Sequence, residues 1–221
     1  MKNLDSLNQE ILSCRKCSRL VSFREDIPKR ASYKDEPYLR KATPGYGDPN
    51  AELLILGLAP SAHGGNRTGR IFTGDESARF LMKMLHSVGF VNQPTSLSLD
   101  DGLKLRNCYI TAAVKCVPPQ NKPLKLECDN CFHYLQKEFH LLPNLKAVLA
   151  LGQLAYKEFF HLMEIQGSPV KKTPFKHGSV THLEKITLFS SYHPSPQNTY
   201  TGKLTEKMFL SLLNKIKKHL L

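Results

Sequence analysis

The chain has 221 residues, 41% of them apolar, with 31 Lys and Arg against 19 Asp and Glu for a formal net charge of +12. That length supports one large domain or two small ones with a core that needs no covalent staples, which excludes collagen, coiled coil and wholesale disorder. No apolar run approaches the roughly 20 residues that span a bilayer, and the basic balance points to a polyanion as partner, most commonly nucleic acid.

The opening residues, Met1-Lys2-Asn3-Leu4-Asp5-Ser6, lack the apolar region of a signal peptide, so we expect a cytoplasmic protein without a membrane partner. In a reducing compartment its six cysteines favour metal or redox roles over disulfides. Leu4, Leu7 and Ile11 have helical spacing and lead into Cys14 and Cys17. Residues 18–50 are polar and rich in Lys, Arg, Pro and Tyr, which predicts mostly irregular surface chain. The apolar run 51–57 reads as a strand buried on both faces. A loop rich in Gly and His follows over 59–73, and then a helix over 75–88 with Phe80, Leu81, Met84, Leu85 and Val88 on one stripe. Further strands are predicted over 108–114, 147–151 and 186–192, and further helices over 124–142, 153–163 and 204–220. This alternation predicts a single α/β domain of three layers, α/β/α, around a mostly parallel four-stranded sheet. Ligands in such sheets bind beyond the carboxyl ends of the strands, which here carry the segments 57–73, 115–123 and 193–202.

Cys14-Arg-Lys-Cys17 and Cys128-Asp-Asn-Cys131 are two C-x2-C knuckles, and Cys116 precedes the second. Four thiolates suit a structural zinc or an iron–sulfur cubane equally. Cys108 opens a strand and reads as core, while Cys128 and Cys131 share the apolar stripe of their helix. Spacing leaves two quartets: Cys14, Cys17, Cys128 and Cys131, or the set with Cys116 in place of Cys128.

The loop Gly57-Leu-Ala-Pro-Ser-Ala-His63-Gly-Gly-Asn-Arg67-Thr-Gly-Arg70-Ile-Phe72-Thr-Gly-Asp75 departs from the P-loop pattern. It resembles the first motif of the family-5 uracil-DNA glycosylases. His193-Pro-Ser-Pro-Gln197-Asn198-Thr-Tyr200-Thr-Gly-Lys203-Leu-Thr is similar to that family's closing motif, and Thr111-Ala112-Ala-Val-Lys115-Cys116-Val-Pro-Pro-Gln-Asn121-Lys-Pro to its middle one. The resemblance runs from about Cys14 to the last helix.

It implies a monomeric repair enzyme acting on DNA at the nucleoid, which flips out and hydrolytically excises uracil and other deaminated bases such as hypoxanthine and ethenocytosine. It also implies a structural [4Fe–4S] cluster on Cys14, Cys17, Cys116 and Cys131. Related single-uracil enzymes carry their carboxylate directly after the first strand. Leu58 and Ala59 stand there in this chain and cannot serve, so the expected acid is Asp75, whose bland alternative is a helix N-cap. His193 is expected to hydrogen-bond the base, and Asn121 to lie near the reacting sugar or water. Gly57, Ala59, His63, Phe72 and Ala112 are expected to line the base pocket; Phe72 could equally be core. Arg67, Arg70, Gln197, Asn198, Tyr200 and Lys203 are expected on the DNA, with Lys115 and Lys122 as phosphate contacts and 171–177 as a basic turn. A zinc-containing nucleic-acid-binding protein without activity, and a metal-dependent nucleotide hydrolase using His63, Asp75 and His193, are the rival readings.

Overall fold

The computed structural model describes residues 3–168 and 173–221; Lys171 and Lys172 of the basic turn lie outside them. In chain order its elements are α1 (Leu4–Leu12), α2 (Ser18–Asp26), β1 (Tyr46–Gly47), β2 (Leu53–Gly57), α3 (Gly65–Thr68), α4 (Glu76–Ser87), β3 (Cys108–Ala112), α5 (Lys125–His140), β4 (Ala147–Leu151), α6 (Gln153–Ile165), β5 (Val180–His182), β6 (Thr187–Ser191), α7 (Pro196–Thr199) and α8 (Glu206–Leu220).

The four expected strands form the parallel centre of the sheet, in the order β3-β2-β4-β6. Among the described residues the sheet has six strands rather than four, because β1 and β5 add antiparallel edges. Each edge strand is two or three residues long, too short to show a period of two in the sequence.

All five residues of each central strand are buried, as a sheet covered on both faces requires. Alternate side chains divide between two cores. Leu53, Ile55, Ile110, Leu149 and Phe189 face α4 and α8. Leu54, Leu56, Tyr109, Val148 and Leu188 face α5 and α6. Asp75 caps α4 and Thr205 caps α8, each accepting a backbone N–H of the first turn.

A third, smaller core joins the N-terminal helices to the domain through Leu7, Ile11, Leu20, Val114, Cys116, Cys131 and Tyr134. Here the expectation of irregular chain is corrected, since 18–26 forms α2. Its inward positions are Leu20, Val21 and Arg24, and the buried arginine interrupts the apolar stripe by which a helix is recognised. Beneath this core Lys115 and Glu138, 1% and 0% exposed, pair at 2.6 Å, and both bond Thr111 Oγ1. Lys115 is therefore a tie between β3 and α5, not the phosphate contact expected of it.

Candidate active site

The chain leaves β2 through α4 on one face and leaves the neighbouring β4 through α6 on the other. A crevice opens between such strands at their carboxyl ends. Gly57 and Gly152 stand at its two lips. Gly152 adopts φ +97°, and a Cβ on it would lie 3.5 Å from that of His193.

Asp75 reaches the crevice from the N-terminus of α4. Its Oδ1 accepts the Ala78 N–H at 2.8 Å, the N-cap bond, and its Oδ2 accepts the hydroxyl of Ser61. A carboxylate offers about four lone-pair sites, so two remain for other partners. They face a groove of about 640 Å3 that also involves Arg30, Tyr33, His63, Arg79 and Leu97. The cap is real and does not exhaust the carboxylate.

His193 follows β6. Burial pushes its imidazole down to about 4, against the pull of the Asp75 carboxylate, so it is neutral near pH 7. Its ring stacks on Phe72, with centroids 5.8 Å apart and planes at 27°. Phe72 is 7% exposed and holds φ +50°, a left-handed conformation that costs a non-glycine residue about 1–3 kcal/mol. Gly57 makes room for it, since a Cβ there would stand 3.0 Å from the ring. Ala112 pairs with Gly57 across the sheet and lies in the same core as Phe72. Gly57, Phe72, Ala112 and His193 thus form one wall. Ala59 packs instead toward the cysteine core.

Two of the arginines expected on the DNA have internal partners. Arg67, 6% exposed, donates to the carbonyls of His63 and Gly74, pairs with Glu36 and stacks on Tyr33. Arg70, equally buried, donates to Thr73, Ser96 and Asp101. Both guanidinium groups knit the first loop to neighbouring segments, and Arg67 also lines the groove beside Asp75. His63 Nδ1 shares a 2.9 Å hydrogen bond with the Tyr38 hydroxyl, and burial with Arg30 and Arg67 nearby lowers its pKa. Among the described residues no group of three or more His, Cys, Asp or Glu is arranged to hold a metal ion, and this applies to His63, Asp75 and His193 and to the cysteines alike.

The closing loop remains at the surface. Gln197 and Lys203 are exposed, and Lys203 Nζ lies 4.9 Å from the centre of the Tyr192 ring. Tyr200, 70% exposed, donates to Glu76 at the start of α4. Asn198 donates to the His193 carbonyl at 2.8 Å, so it braces the loop. Asn121 is exposed and, with Gln120, takes a left-handed conformation; no described contact joins it to Asp75 or His193.

The cysteines separate by environment. Cys108 is buried core. Cys116 and Cys131 are buried, Cys14 and Cys17 pack against them, and Cys116 and Cys131 each sense neighbouring thiols of this set. Three donors point at their sulfurs: Arg24 to Cys116 at 3.0 Å, the Lys115 N–H to Cys131 at 3.5 Å and Asn130 to Cys17 at 3.5 Å. Cys128 is half-buried in the same core. Burial raises the thiols of Cys116, Cys131 and Cys128 alike, and at Cys128 the carboxylates of Glu158, Asp129 and Glu127 add to it. Sequence reasoning missed Arg24 and Ser61. The first lies in a polar stretch without helical periodicity, and the second has no periodic signal to mark it.

The model of the uracil DNA glycosylase superfamily matches residues 44–217. A type-5 uracil-DNA glycosylase of Thermus thermophilus is 44% identical over 212 residues, 95% of this chain and 95% of that protein. One of Pyrobaculum aerophilum is 42% identical over 211 residues, 96% of this chain and 91% of its own length. A type-4 uracil-DNA glycosylase of Sulfurisphaera tokodaii is 29% identical over 213 residues, 95% of this chain and 83% of its own.

Proposed function

The chain belongs to the type-5 uracil-DNA glycosylases of the uracil DNA glycosylase superfamily, and on that premise we propose that Asp75, His193 and the Phe72 wall excise a flipped-out base from DNA by hydrolysis, with no lyase step. The observation that carries this reading is a carboxylate with free lone pairs near enough to act electrostatically on a neutral imidazole that follows β6. As the N-glycosidic bond breaks, the sugar becomes cationic and the base leaves as an anion. Asp75 offsets the first charge and orients the attacking water. A neutral His193 donates an N–H to a base oxygen and stabilises the second. Phe72 offers the extruded base an aromatic face, worth roughly 1–3 kcal/mol. Gln197, Tyr200 and Lys203, exposed on the closing loop, are placed to meet the duplex. The enzyme works as a monomer at the nucleoid.

Cys14, Cys17, Cys116 and Cys131 would hold a [4Fe–4S] cluster. The three donors aimed at their sulfurs suit thiolate ligands, and a four-iron cubane is a larger object than one ion. When bound, the cluster supplies a covalent clamp between the N-terminal helices and the sheet. Ala112, which offers no edge-reading group, suits a range that includes hypoxanthine and ethenocytosine besides uracil.

A labelled duplex carrying one deoxyuridine, incubated with the protein and then treated with alkali, tests the reading. Wild type should release the base without added divalent metal. Asp75→Asn should bind abasic-site DNA nearly normally and cleave about 10²–10⁴-fold more slowly. Wild-type turnover in Asp75→Asn, with lowered thermal stability, would leave Asp75 as a helix cap only.

A further inference from the structure

One oxygen of Asp75 is fixed by the N-terminus of α4, and the other meets a side chain from the opposite end of the same loop. We propose that Ser61 is a positioning residue for base excision: its hydroxyl holds Asp75 Oδ2 and so sets the carboxylate plane that aims the attacking water. The inference rests on the acid role of Asp75 proposed above.

The direction of the contact follows from the neighbouring groups. A serine hydroxyl has one proton and two lone pairs. The Gly64 N–H donates to Ser61 Oγ at 3.1 Å and occupies a lone pair, so the proton is directed to Asp75 Oδ2. The Ser61 carbonyl in turn accepts the Asn66 N–H at 3.0 Å, which anchors the residue to α3. The loop is shaped around this contact, because a Cβ on Gly64 would stand 2.3 Å from both Ser61 Oγ and Asp75 Oδ2.

With Oδ1 held by Ala78 and Oδ2 by Ser61, the carboxylate cannot rotate about its Cβ–Cγ bond without breaking one of two hydrogen bonds. Removing the hydroxyl leaves the cap bond intact, so α4 keeps its start while the carboxylate gains freedom. Small misplacements of this kind cost reaction rate more than binding, since a shift of about 1 Å can cost about 10²-fold.

Single-turnover kinetics on a deoxyuridine duplex, binding to abasic-site DNA and thermal unfolding together test this. Ser61→Ala should lower the chemical rate on the order of tenfold or more with abasic-site affinity and melting temperature little changed. Ser61→Thr, which keeps a hydroxyl, should recover most of the rate. In an Asp75→Asn background, Ser61→Ala should bring no further loss. A wild-type rate for Ser61→Ala beside a slow Asp75→Asn overturns the Ser61 role alone. A wild-type rate for Asp75→Asn removes the acid reading and this inference with it. An equal loss in both backgrounds, or no recovery with threonine, also overturns it, since the serine would then act independently of the carboxylate.

Discussion

At the scale of single residues, the site depends on groups held away from their preferred states. Phe72 is left-handed, and His193 is kept neutral by burial. The imidazole titrates near 4 in the folded chain and near 6.5 in the unfolded one. The unfolded state therefore takes up the proton first as pH falls, and stability is lost between about 6.5 and 4. The loss is on the order of 3 kcal/mol from this residue. Urea unfolding at pH 7, 5.5 and 4 should show that decline in wild type and a flatter one in His193→Gln. An equal decline in both would assign it to other groups. Ala112 gives a second expectation. An asparagine there would present a donor and an acceptor beside the Phe72 wall, so Ala112→Asn should raise the ratio of uracil to hypoxanthine release. Wild-type protein that removes uracil alone, with hypoxanthine and ethenocytosine duplexes intact at enzyme excess, would refute the broad range. The places of Asp75 and His193, at the ends of a loop and a strand, are legible in the sequence. The inward turn of Arg67 and Arg70 is not, because a sequence displays a charge and conceals its partner.

Among the elements, the four central strands announce themselves as short apolar runs, and the helices between them by their stripes. What escaped were pieces whose support is distant. β1 and β5 exist only as additions to a finished sheet edge. α2 buries an arginine whose acceptor, Cys116, lies 92 residues away. The choice between cysteine quartets is of the same kind, since Cys116 and Cys128 differ in surroundings rather than spacing. Arg24 stands over Cys116, while carboxylates surround Cys128. Cys116→Ser should accordingly lose iron and soluble yield, and Cys128→Ser should keep both. Iron analysis giving the reverse pattern would place the ligand on Cys128.

Across the whole molecule, the charge of +12 suits a DNA partner only through the basic groups left at the surface. Binding to duplex should weaken with salt, each phosphate contact contributing about 0.9 to the logarithmic slope. Lys203→Ala should lower that slope by about one. Arg70→Ala should leave the slope unchanged and lower the melting temperature, because its partners are internal. A reduced slope in Arg70→Ala would return that residue to the interface. The doubly covered parallel sheet also puts long stretches of chain between neighbours in space, nowhere more than at the cysteine core. Cys17 packs there against the cluster that holds Cys131, and 114 residues of synthesis separate the two. At 5–20 residues per second the ribosome needs roughly 6–23 s to cover that distance. Throughout this interval α1 lacks the helix α5 that it packs against, and Cys14 and Cys17 stand without Cys131. A cluster held as proposed above would, if delivered before α5 emerges, meet three of its four cysteines, Cys14, Cys17 and Cys116.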